Sequence, residues 1–273
     1  MKTLFLFFFF IPLFCIVAQQ QPLPIEPASI IEPGHAGFDF GFSHFHDQNF
    51  PLSGLSGNLT KIGNLRFRIS LSEYVELQTD GTLLDLLYVK ERKPAFNSAI
   101  ASTRNPTGDI GDFTIWTKFS ILNEYTSNLG LSMRIGVQLP NASNESGLGI
   151  DEMNFYSTFL FEKHFAGVWI VNAGLGILGD PTRLSSQHDV STYGIAYFVP
   201  VGASTIITFQ HTGRAGHSGV GVNGLKNWKI GIQETYSNHF LVDVYGVKNT
   251  SVDDKATGVE LTFHFLFHVM NIK

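Results

Sequence analysis

Cysteine is nearly absent. Cys15 is the only one, and it falls inside an apolar N-terminal block. Past that block no disulfide, thiolate nucleophile or cysteine metal ligand is available. Charge is scarce as well: Asp, Glu, Lys and Arg make up 15% of the chain, against roughly 25% in ordinary soluble domains. The formal balance of −5 leaves no basic footprint, which excludes nucleic acid as a partner. Beyond the N-terminal block no run is apolar for the roughly 18 residues that mark a spanning helix. No amphipathic helical period stands out. There is no glycine-rich phosphate loop and no HExxH pattern, so neither a cofactor nor a metal centre is expected.

The N-terminal block, MKTLFLFFFFIPLFCIVAQQ, carries Lys2, then an apolar stretch, then the small residue Ala18. That layout predicts a secretory signal peptide over 1–18. The apolar stretch is about 15 residues and contains Pro12, short of the roughly 20 a membrane-spanning helix needs. Leu13 and Phe14 are bulky where a lipoprotein signal has small residues, which argues against lipidation of Cys15. Residues 19–35, QQQPLPIEPASIIEPGH, are rich in proline and polar groups and read as a flexible periplasmic lead-in.

What the chain has in quantity is aromatic and alternating sequence. It contains 25 Phe, 8 Tyr and 3 Trp. In LGLSMRIGVQLP (129–140), Leu129, Leu131, Met133, Ile135, Val137 and Leu139 alternate with Gly130, Ser132, Arg134, Gly136 and Gln138. A period of two is the signature of a strand with two unlike faces. About twelve such segments follow one another: 37–46, 64–72, 74–79, 112–121, 129–139, 152–162, 166–177, 190–199, 203–212, 227–236, 240–248 and 257–267.

The connections sort by length. Loops at 47–63, 80–111, 140–151, 178–189, 213–226 and 249–256 are long, whereas the turns near Glu73, Glu124, KHF, PVG and SNH are short. Greek-key sandwiches have no reason to sort their loops in this way. An up-and-down barrel in an outer membrane does, with short periplasmic turns and long extracellular loops. The expected fold is therefore all-β: an antiparallel transmembrane barrel of about twelve strands over 36–267, with both termini periplasmic and a C-terminal overhang at 268–273. Arg66, Arg68, Glu76, Lys118, Arg134, Glu162, Lys229, Asp243 and Glu260 share the polar side of their strands and are expected to line the lumen. Loop 80–111 is long enough to cap the mouth. Alternation is preserved if inside and outside are exchanged, so a soluble secreted β-barrel is the competing reading. Strand number, loop sorting and aromatic load favour the membrane.

The stretch GDIGDFTIWTKFSIL (108–122), then LSMRIGVQLP, then GLG at 147–149 resembles the outer-membrane family named for the meta pathway of phenol degradation. Gly111, Asp112 and Lys118, followed by Arg134, Gly136 and Pro140, carry the resemblance. It extends loosely over about residues 36–267. It implies a barrel in the outer membrane of a Gram-negative cell that passes hydrophobic or aromatic small molecules. Lipid around the wall and the barrel assembly machinery are the implied partners. Many bacterial barrels end on an aromatic residue, whereas this chain runs past Phe267 with HVMNIK.

An enzymatic alternative is an outer-membrane lipid hydrolase, since FQHTGRAGHSGVGVNG (209–224) is similar to a His-x-Ser arrangement with Asn223 as a third member. The residue two beyond His211 is Gly213, however, and His217 and Ser218 are adjacent, so strand geometry would point them apart. No enzyme is expected. His44 and His46 share a parity but lack an evident third ligand for an ion. Asn-x-Ser/Thr sequons at Asn58, Asn141, Asn144 and Asn249 matter only in a eukaryotic secreted protein.

Overall fold

In a computed structural model, residues 22–96, 100–180, 186–216 and 224–269 are described. Residues 1–21, and with them the signal peptide, lie outside the described part, as do 217–223 and 270–273. Thirteen strands run β1 (His35–Phe50), β2 (Leu55–Ser70), β3 (Val75–Arg92), β4 (Thr107–Asp109), β5 (Phe113–Leu122), β6 (Gly130–Leu139), β7 (Asn154–His164), β8 (Val168–Gly179), β9 (Gln187–Pro200), β10 (Thr205–Gly216), β11 (Leu225–Ser237), β12 (Phe240–Asn249) and β13 (Thr257–His268). β4 is a three-residue strip on β3. The other twelve are the staves of a closed antiparallel barrel. Each pairs with its sequence neighbour, and β1 pairs with β13 from His35↔His268 to His46↔Thr257. Closure leaves no open sheet edge, so the backbone donors and acceptors of the wall can pair within the barrel without water.

The outer wall is apolar. In β5 and β6, Ile115 is 53% exposed and Ile135 48%, whereas Lys118 and Arg134 are 1% exposed. Phe67, Phe119, Phe155, Phe159, Leu175, Ile195, Phe209, Ile230, Ile232 and Val259 are outward as well. A patch of this extent is unlike the surface of a soluble monomer and matches the lipid-facing band of a transmembrane barrel. Aromatic side chains gather near both rims: Trp169 stacks on Tyr197 with centroids 4.2 Å apart, and Trp228 at the opposite end stacks on His211 at 4.1 Å.

The inner face makes room for its large rings with glycine. Gly136 lies beneath Trp116, where a Cβ would stand 2.1 Å from the indole. Trp116 is thereby laid flat against the wall, its Nε1 donating to Asp80 Oδ1 at 2.7 Å and Arg134 lying 4.2 Å above its ring.

The first three staves differ from expectation. They are 16, 16 and 18 residues long, and the connection expected at 47–63 is the tight turn 51–54. Loop 80–111 shrinks correspondingly, since β3 runs on to Arg92. The cause is an exchange of faces. Phe45, Phe50, Leu55, Leu59, Leu87 and Val89 turn inward at the long-loop end and join Leu148, Tyr245, Val247 and Ala256 in one dry cluster. β-Bulges at Phe45/Gln48 and Ser56/Gly57 shift the register there, so no single period of two spans the segment. The remainder of loop 80–111 is tied to this rim through Ile100, which packs with Leu52 and Ile150.

Candidate functional site: a lumen divided by the N-terminal segment

Residues 22–34, read from sequence as a flexible lead-in, run inside the barrel. Pro22, Pro24 and Pro27 bring no backbone N–H that would need a partner away from water. Three of the other donors are met by wall side chains. Glu26 N donates to Asn172 Oδ1 at 2.9 Å, Ser29 N to Glu162 Oε2 at 2.8 Å and Ile31 N to Glu76 Oε2 at 2.9 Å. In return the wall donates to the segment's carbonyls: Asn172 Nδ2 to Glu26 O at 2.8 Å, Ser132 Oγ to Ala28 O and Lys118 Nζ to Ser29 O. Leu23 packs against the Trp116, Tyr156, Leu178 and Val190 cluster, and Ile25 against Ile170 and Ala196.

Glu26 is the electrostatic centre, with 0% exposure. Its Oε1 lies 2.9 Å from Lys118 Nζ and accepts from Gln78 Nε2 at 2.8 Å. Its Oε2 lies 3.3 Å from Arg66 and 3.7 Å from Arg134. Strand register explains the need for it. Lys118 stands directly opposite Arg134 across the β5–β6 pair, and like charges in that relation repel. A carboxylate from outside the sheet resolves the conflict.

All nine side chains expected on the polar face stand on the inner wall, and the structure divides them. Lys118, Arg134, Glu76 and Glu162 lie under or beside the N-terminal segment, with Arg66 reaching it from β2. Arg68 pairs with Asp39 at 3.1 Å and Lys229 with Glu260 at 2.5 Å. Asp243 accepts from His264 Nε2 at 3.0 Å, while His264 Nδ1 faces Asp39 at 2.9 Å.

Beside the segment part of the lumen stays open. A cavity of about 630 Å³ extends from Phe50, Leu148 and Ile150 near the long-loop rim to Ile206 and Gln233 near the short-turn rim. Its charged lining is Asp39, Asp80, Asp85, Asp112, Glu162, Asp243 and Glu260 with Lys61, Arg66 and Lys229, together with His164 and His264. Glu26, Asp39, Lys61, Asp80, Asp85 and His264 were not singled out from sequence. The signal for Glu26 was present: Leu23, Ile25, Ala28, Ile30 and Ile31 make its surroundings too apolar for a linker in water.

The other candidates do not assemble. His44 Nδ1 is already bonded to Thr60 Oγ1 at 2.9 Å, with His46 edge-on at 4.9 Å. His211 is held outside by the Trp228 stack and by Asn227 O at 2.8 Å, and the space a side chain at Gly213 would need is filled by Tyr193. His217, Ser218 and Asn223 lie outside the described residues.

No family model and no curated protein matches the chain. Among solved structures it is similar to an outer membrane channel from Pseudomonas putida F1, at a TM-score of 0.64 and 14% identity, covering 89% of this chain and 100% of that one. The translocator domain of the autotransporter NalP from Neisseria meningitidis matches at 0.48 and 9%, over 86% and 89%. At 14% identity the likeness to the Pseudomonas structure is one of fold: a closed barrel of the outer-membrane kind.

Proposed function

We propose that this chain is a channel in a bacterial outer membrane, exported by its N-terminal signal and inserted by the barrel assembly machinery. Its short turns would face the periplasm and its long loops the outside. The carrying observation is the open part of the lumen beside the N-terminal segment, a cavity of about 630 Å³ inside a wall whose exterior is apolar. A filled barrel would have no such space. The cargo is a small molecule, since residues 22–34 run inside the bore and the space beside them is about 630 Å³. The resemblance to the family named for phenol degradation supports that class, and the likeness in fold to an outer membrane channel supports the channel reading. The apolar cluster at the long-loop rim would receive the hydrophobic part of a solute before it meets the charged middle.

The experiment is conductance across planar bilayers by the purified chain, with solute flux into liposomes alongside. Discrete current steps and flux above empty liposomes are expected. Silence in both would leave a closed structural barrel.

A further inference from the structure

The charges of the lumen are sorted rather than mixed. Two of its strongest cations, Lys118 and Arg134, are sealed at 1% exposure behind the N-terminal segment, where Glu26 meets both and Glu76 lies 4.0 Å from Lys118. Neither lines the open cavity. What remains on the open face is seven carboxylates against three Lys and Arg side chains.

The pairing is lopsided too. Each of the three cations sits on a carboxylate: Lys61 on Asp85 at 3.2 Å, Arg66 on Glu26 at 3.3 Å and Lys229 on Glu260 at 2.5 Å. Among the described residues no Lys or Arg forms an ion pair with Asp80, Asp112, Glu162 or Asp243. Counting His164 and His264 as cations, and Arg68 where it sits on Asp39, still leaves one more acid than base on this face. A low-dielectric wall focuses such an excess into the bore, and acidic linings are how pores favour cations.

We infer that the open part of the lumen selects for cations, so that its cargo class is small positively charged solutes such as organic ammonium ions. This rests on the channel reading and deepens it. The N-terminal segment acts as a charge filter: by covering Lys118 and Arg134 it removes positive charge from the path as well as narrowing it.

The test is the reversal potential of the intact chain in bilayers separating unequal KCl solutions. Potassium is expected to permeate roughly tenfold better than chloride, the low end of what a like-charged cleft does to local counter-ion concentration. Asp80→Asn and Asp243→Asn together keep both hydrogen-bond acceptors while removing two charges, and should bring the ratio toward one. Substituting tetramethylammonium for potassium should preserve the current. Current with equal or greater chloride permeability, or a preference untouched by the double variant, overturns the inference and leaves the channel standing. Absence of any current overturns both.

Discussion

Lys118 and Arg134 face each other across neighbouring strands, and Glu26 is the carboxylate they share. Replacing Glu26 with Ala strands two buried cations, a change that costs about 3–5 kcal/mol when a buried pair is broken. The chain can relieve this by releasing residues 22–34 from the lumen. Glu26→Ala is therefore expected to show larger unit conductance than wild type and faster proteolysis within 22–34. An unchanged step size would mean the segment does not limit the path. Two neighbouring residues test the two faces of one strand. Gly136→Val would push a side chain into the ring of Trp116 and should cost about 1–3 kcal/mol by overpacking, read as a lower urea midpoint of unfolding. Ile135→Arg puts a charge on the lipid side and should cost about 2–4 kcal/mol near the bilayer midplane, read in the same assay in lipid vesicles. If Ile135→Arg were neutral, the outer wall would not face hydrocarbon.

At the scale of elements, the turns and the staves obey different physics. Between β5 and β6 lies α1 (Glu124–Ser127), opened by Asn123, whose side chain accepts from Tyr125 N. Glu124 reaches across to β7, accepting from the His164 backbone at 2.7 Å and meeting its ring at 2.6 Å, with Lys163 Nζ 3.3 Å away. Partial burial raises the carboxyl pKa, but hydrogen bonds from His164 and Lys163 outweigh it and hold the group at about 2 instead of 4.5. A depressed carboxyl stabilises the folded turn above its ordinary value, and that contribution disappears as pH falls from 4.5 through about 2. Protection of the His164 amide, its exchange corrected for the intrinsic pH dependence, should fall over that window and stay flat above it. A fall starting near neutrality would instead implicate the imidazole. In the staves, legibility followed the periodicity. β5 and β6, whose apolar residues alternate without a break, begin and end within a residue or so of the expected bounds. β1 to β3 were read short because bulges and inward Leu55, Leu59, Leu87 and Val89 reverse the pattern beyond the bilayer.

For the whole molecule, local sequence determined that Ile135 and Arg134, being adjacent in a strand, point apart, and which nine charges share one face. Closure of the barrel decided which face is outside, leaving Ile135 exposed and Arg134 buried. Tertiary structure decided how those charges are used. Nothing in the spacing of Glu26 from Lys118 or Arg134, some ninety to a hundred and eight residues further along the chain, marks them as partners. Their meeting depends on the diameter of a closed barrel and on a proline-bearing segment that needs few backbone partners. The same fold hid two cations and left an acidic part of the lumen open. Alternation reports the direction of a side chain from its own strand, whereas pairing across a bore is a property of closure.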